Sequence, residues 1–215
     1  MKAKVPATET PVGRPVVLTG ERQRLAEQHL LKSDRVMAKL VRRHGNCRIV
    51  TRAFRPFHAL TTAIISQQLS VKAAETIASR VALHAPRPFE ASSILAVAPE
   101  SLRAAGLSGA KVKYIHGLAR LVVKESLDFV RIRKLHDEAA MAALTEVPGI
   151  GRWTAEMFLI FTLKRPDVLS LGDAGLSRAV RLLYGDAADL QRVAEGWRPY
   201  RSVASWYLWQ HLDSN

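Results

Sequence analysis

Five residues, Val147-Pro148-Gly149-Ile150-Gly151, interrupt a stretch that otherwise reads as helix. Ala139, Ala140, Ala143 and Leu144 precede them at helical spacing, and Met157, Ile160 and Phe161 follow at the same period. The pattern predicts helix, tight hairpin, helix over about 138–163. Proline cannot continue a hydrogen-bonded turn, whereas glycine reaches backbone angles closed to other residues and lets a main chain approach a ligand closely. Gly151 opens the second helix, whose first N–H groups and positive dipole end face whatever occupies the hairpin. On a basic chain that occupant is expected to be a phosphate. About twenty residues on, Asp173 follows Gly172 at the start of another helix, so hairpin and Asp have to be explained together.

Among 215 residues there are 32 Lys and Arg against 19 Asp and Glu, a net charge of +13. Such an excess points to a polyanion, either nucleic acid or an anionic membrane surface. The bland alternative is a soluble protein that is merely basic. Hydrophobic residues make up 48% of the chain, enough for a packed core, and no apolar run reaches the length of a membrane span. The single Cys47 excludes an intrachain disulfide, a multi-cysteine zinc site and a four-cysteine iron–sulfur cluster. The histidines show no metal-ligand spacing. Residues 1–17 carry three prolines and no apolar leader, and read as a disordered tail rather than a signal peptide. A cytoplasmic (nucleoid) or nuclear protein is expected, not a secreted one.

Alternating β-branched runs are scarce, so the expected fold is all-α, a helical bundle of about ten helices in two helical subdomains. Ser33 is a candidate N-cap and Gly45 a stop for a helix over 34–44. Pro56 starts a strong helix that runs to about Gln67, with Leu60, Ile64 and Ile65 inward. It breaks at Gln67-Gln68-Leu69-Ser70, where Ser70 can cap the next helix. After the Gly106–Gly109 turn a long helix runs to about Glu125, and Leu127–Lys134 reads as a link. The expected division is 18–55 plus 165–215 as a terminal subdomain and 56–164 as a central one carrying the hairpin.

Leu144 to Met157, followed by a loop and Gly172-Asp173-Ala174-Gly175-Leu176, resembles the helix-hairpin-helix DNA glycosylase superfamily. Ala63 to Val71 and Ala194 to Ser202 are similar to stretches of its alkylation-repair branch, the 3-methyladenine DNA glycosylase II family. The likeness covers roughly residues 30–212, with one mild departure, Gly172, where a second Asp is common. It implies a hairpin that grips DNA backbone through main-chain N–H groups, with Gly149, Gly151 and Arg152 at the contact. Phosphate contacts of this kind hold register without reading sequence. Lys111 is a further candidate phosphate contact; its alternative is a solvated helix start. The resemblance also implies a sodium or potassium ion held by the main-chain carbonyls of Thr145, Val147 and Ile150, and no required cofactor.

Asp173 is expected to be catalytic as well as a helix N-cap. Cleaving an N-glycosidic bond develops positive charge on the sugar, which a fixed carboxylate stabilises while it orients or deprotonates water. Trp153 stands where strand-cleaving relatives carry a Schiff-base Lys, so the resemblance implies a monofunctional hydrolase that leaves an abasic site. A base alkylated on a ring nitrogen is cationic, and aromatic faces attract cations by roughly 0.5–2 kcal/mol. Trp153 and Trp209 are the expected stacking partners, Trp206 is held in reserve, and Trp197 reads as core. A flipped nucleotide leaves a gap in the stack that Gln68 or Leu69 would fill, and the residues leave that choice open. The reading is a monofunctional DNA glycosylase of base-excision repair, monomeric and away from membranes. Its substrate is an alkylated purine such as 3-methyladenine in damaged double-stranded DNA. Its rivals are a non-catalytic helix-hairpin-helix protein binding distorted or damaged DNA, and a glycosylase for deaminated or mismatched bases.

Overall fold

A computed structural model describes residues 13–51 and 53–214. They form thirteen α-helices and one 3-10 turn, with no strand among the described residues, as an all-α fold requires. In chain order these are α1 (Gly20–Ser33), α2 (Arg35–His44), α3 (Pro56–Ser66), α4 (Val71–Ala82), α5 (Ala91–Leu95) and α6 (Pro99–Ala104). There follow α7 (Gly109–Val123), α8 (Phe129–Lys134), α9 (Asp137–Thr145), α10 (Arg152–Phe161), α11 (Ala174–Tyr184), α12 (Leu190–Ala194) and α13 (Arg201–Asp213). The chain divides into two compact units, one of Pro15–Ala53 with Leu159–Asn215 and the other of residues 13–14 with Phe54–Phe158.

In the first unit α13 packs on α1, α2 and α11. Seven consecutive residues, Ser202 to Leu208, are buried, the mark of a helix covered all round rather than on one stripe. Asp34 ties this unit together. Its Oδ1 accepts from Val36 N at 2.8 Å and Met37 N at 3.0 Å. Its Oδ2 accepts from Tyr184 Oη at 2.6 Å and Trp197 Nε1 at 3.0 Å. The cap of α2 is therefore Asp34, and Ser33 closes α1 instead, because a carboxylate can serve the helix end and two side-chain donors at once. Trp197 is fully buried, a core residue.

Of the expected tail, residues 1–12 lie outside the described residues. The last of it is anchored rather than disordered. Val17 O accepts from Arg22 Nη1 at 2.8 Å, Val16 O from Arg165 Nη1 at 3.4 Å, and Leu18 N donates to Lys164 O at 2.7 Å.

In the second unit α7 packs on α3, α5 and α6, and α3 packs on α4. Leu60, Ile64 and Ile65 on α3 are buried as their spacing predicts, facing a core that includes Ile115, Leu118 and Ala119 of α7. Pro56 occupies the first turn of α3, where a missing N–H costs nothing, and Ser70 Oγ accepts from Ala73 N at 3.3 Å to cap α4. The stretch read as a link contains α8. Six residues with one buried side chain, Ile132, give too little periodicity to detect, but Asp128 Oδ1 caps the helix through Val130 N at 2.7 Å and Arg131 N at 3.3 Å.

Candidate active site

The hairpin forms as its residues dictate. α9 ends at Thr145, whose Oγ1 turns back to donate to Met141 O at 3.0 Å and Ala142 O at 3.1 Å. Val147 N donates to Leu144 O at 3.1 Å and Ile150 N to Val147 O at 3.0 Å, which folds the turn. Gly149 sits at φ +91°, and a Cβ there would lie 2.5–2.8 Å from the Tyr114 side chain. Gly151 has no such neighbour within 4 Å. Its carbonyl accepts from Ala155 N at 3.0 Å, so it stands at the N-cap of α10 and the first N–H groups of that helix point out of the hairpin. Arg152 is exposed and its Nε donates to the buried Glu156 at 2.9 Å, an i,i+4 pair that aligns the guanidinium along α10.

Thr145 ends α9, and carbonyls at a helix C-terminus have no intrahelical partner, so main-chain ligation of a cation fits there. Val147 O keeps one lone pair beside its bond from Ile150 N. Among the described residues no cluster of His, Cys, Asp or Glu could hold a metal by side chains.

The loop between α3 and α4 is joined to this hairpin. Gln67 Nε2 donates to Gly149 O at 2.9 Å. Lys111 Nζ donates to Ile65 O and to Gln67 O, both at 2.7 Å. The Lys111 ammonium is thus not a solvated helix start: it caps the end of α3, and burial holds its pKa below the usual lysine range. Gln68 takes the left-handed φ of +58°, and Gln68 and Leu69 are exposed at the loop tip. Trp153 lies on the first turn of α10 with half of its surface exposed.

Asp173, Trp206 and Trp209 belong to the other unit. Asp173 is buried at 8% exposure, and its Oδ1 accepts from Leu176 N at 2.8 Å as the N-cap of α11. Gly175 brings α11 against α13: a Cβ there would meet Asp173 Oδ1 at 3.0 Å, Leu212 Cδ1 at 3.5 Å and Trp209 Cδ1 at 4.0 Å. Asp173 and Trp209 thus flank the same small residue. Trp209 is half-buried, with Phe161 at 5.7 Å between ring centroids. Trp206 is buried, its ring nearly perpendicular to that of Tyr207 at 4.9 Å between centroids.

Arg198 and Arg201 are engaged within this unit. Arg201 grips Asp167 through Nε at 2.8 Å and Nη2 at 2.9 Å, while Arg198 pairs with Glu195 at 2.7 Å and Asp167 at 3.0 Å. Gln67, Tyr114 and Gly175 are the site residues that sequence reasoning missed. A cavity of about 200 Å³ lies between α7, α8 and the hairpin, lined by Leu121, Ile132, Leu135, Val147 and Pro148 among others. It contains neither Asp173 nor a tryptophan, so it is not the expected base pocket.

With this geometry in hand, residues 61–198 match the model of the HhH-GPD superfamily base excision DNA repair protein. DNA-3-methyladenine glycosylase 1 of Schizosaccharomyces pombe is 32% identical over 199 residues, 86% of either chain. Among solved structures, the DNA-3-methyladenine glycosidase from Bacillus halodurans aligns with a TM-score of 0.74 at 34% identity, covering 86% of this chain and 88% of that one. The 3-methyladenine DNA glycosylase of Schizosaccharomyces pombe in complex with abasic DNA aligns with a TM-score of 0.72 at 31% identity, covering 86% and 95%. The chain belongs to the HhH-GPD superfamily of base excision DNA repair proteins and, within it, to the family of the 3-methyladenine DNA glycosylases.

Proposed function

We propose that this protein is a monofunctional DNA glycosylase of base-excision repair that releases alkylated purines of the 3-methyladenine type from double-stranded DNA. The observation that carries the reading is Asp173, a buried carboxylate fixed by Leu176 N–H at the start of α11, in a chain whose relatives are named for this reaction. The positive end of the helix favours a negative charge at that position.

In the proposed reaction the C1′–N bond breaks with its electron pair leaving on the base. A base alkylated on a ring nitrogen carries a positive charge, so it departs neutral and needs no acid. Asp173 offsets the charge that develops on the sugar and orients the water whose oxygen bonds to C1′ and whose proton is lost to a base. Trp153 and Trp209 each supply an aromatic surface for the cationic base. Trp153 has no amine to form a Schiff base, and the Lys164 ammonium is spent on the Ile49 carbonyl. The hairpin N–H groups with Gly149, Gly151 and Arg152 take the DNA backbone, and the carbonyls of Thr145, Val147 and Ile150 would hold a sodium or potassium ion that adds positive charge toward a phosphate. Gln68 or Leu69 fills the vacated stack. Among the described residues no helix is long and apolar enough to cross a membrane. A monomer acting at the nucleoid or in the nucleus is the accompanying proposal.

The test is a single-turnover assay on duplexes carrying one alkylated, deaminated or mismatched base, with alkali to reveal abasic sites. Alkylated purines should be released, and Asp173→Asn should lower the rate by roughly 100–1000-fold or more while keeping the N-cap, since Asn caps as well as Asp. Strand cleavage without alkali would sink the monofunctional assignment. Full activity in Asp173→Asn would sink the mechanism. Tight binding to distorted duplex with no base released would favour a non-catalytic binding protein.

A further inference from the structure

The turn between α3 and α4 spans only Gln67 to Ser70, and its exposed tip is held in place from two sides. The last carbonyls of a helix have no partners of their own. At the end of α3 the Lys111 ammonium takes two of the carbonyls there, Ile65 O and Gln67 O, at 2.7 Å each. The Gln67 amide reaches across 82 residues of sequence to Gly149 O at 2.9 Å. Gly149 cannot yield easily, because its Cβ position is filled by the Tyr114 side chain. Tyr114 stands three residues after Lys111 on α7, which therefore buttresses both the loop and the hairpin. Loop to hairpin, loop to α7 and hairpin to α7 make a closed triangle. At its free corner Gln68 is held at a left-handed φ of +58°, a conformation that surrounding contacts must impose on a non-glycine residue.

We propose that Gln67 and Lys111 are positioning residues that lock the loop tip to the phosphate-gripping hairpin, so that Gln68 and Leu69 enter the base stack from a preset frame. The inference rests on the glycosylase reading. A wedge that must order itself while it displaces a base adds the entropy of fixing its backbone to the cost of flipping, and a pre-locked wedge does not. Releasing either tie therefore slows extrusion of a paired base and hardly touches a base that is already unpaired.

Lys111→Met and Gln67→Met in the full chain, at saturating enzyme, are compared with wild type on two duplexes. One carries an alkylated purine opposite its normal partner, and the other carries it opposite an abasic-site analogue. The expected loss is about 10–100-fold on the paired duplex and less than about threefold on the unpaired one. Thermal unfolding identifies any variant that fails to fold, and Gln67→Met, at a partly exposed site, keeps the question open to test if Lys111→Met does not. In a background of Gln68→Ala with Leu69→Ala, Gln67→Met should add no further loss, because the tip it positions is gone. Equal losses on both duplexes, no loss on either, or full additivity with the tip mutations would overturn the proposal. Wild type releasing no alkylated base from either duplex would instead overturn the glycosylase reading beneath it.

Discussion

Gly149 and Gly151 stand two residues apart and answer to different constraints. Gly149 needs its positive φ and has no room for a methyl group beside Tyr114. Gly149→Ala should destabilise the fold by about 2–4 kcal/mol, measured by denaturant unfolding; a change under about 0.5 kcal/mol would contradict the packing described. Gly151 meets nothing of its own chain. Gly151→Ala should leave stability within about 0.5 kcal/mol yet weaken duplex binding in fluorescence anisotropy, since the proposed function brings a phosphate into that open space. Gly175 separates chemistry from stability in the same way. Alanine there gains helix propensity of up to about 1 kcal/mol but crowds Asp173 Oδ1 at 3.0 Å. Gly175→Ala is expected to unfold near the wild-type midpoint while excising bases about tenfold more slowly. Wild-type rates in that variant would show that the carboxylate tolerates displacement.

At the scale of elements, the ends of helices carry most of the information. α2, α8 and α11 each begin with an Asp that caps its own helix, and Asp34 and Asp173 each have a second employment, structural in one case and proposed catalytic in the other. The loop after α10 shows how an element end can store a pH dependence. Lys164, at φ +59°, donates to the carbonyl of the buried Ile49, two residues after the buried Cys47, and burial lowers its pKa from 10.5 to about 8. Between those values the unfolded chain binds more protons than the folded one, so this residue's contribution to stability rises with pH across that window. Below about pH 8 the cost of the buried charge is present in full. Taking the protein from about pH 7.5 to about pH 10 should therefore raise the unfolding midpoint of wild type relative to Lys164→Met. A difference that stays constant over that range would show that Lys164 keeps an ordinary affinity for its proton.

For the whole molecule the net charge of +13 is a statement about partners, not about fold. If the basic surface meets a DNA backbone, affinity for undamaged duplex should fall by about 100-fold between roughly 50 and 200 mM salt, as expected for about four phosphate contacts. A shallow salt slope would remove DNA from the account of that charge. The proposed work is also distributed: hairpin, loop tip and Trp153 belong to one compact unit, Asp173 and Trp209 to the other.

What the sequence by itself determined is what local physics encodes. Apolar spacing marks α3, α7 and α11, Pro56 and Ser70 mark helix starts, and the Pro-Gly-Ile-Gly turn and Asp173 mark a tight hairpin and a helix-capping carboxylate, because each signal lies within one helical turn of the residue it concerns. α8 escaped because six residues are too few to show a period. Tertiary structure alone decided the tasks of side chains whose partners are remote in sequence. Lys111 became a cap for a helix 46 residues before it, Gln67 a tie to a hairpin 82 residues away, and Gly175 the spacer between Asp173 and α13. A flexible ammonium or amide carries no mark of which carbonyl it will meet; only the packing of α3, α7 and the hairpin brings those groups within 3 Å.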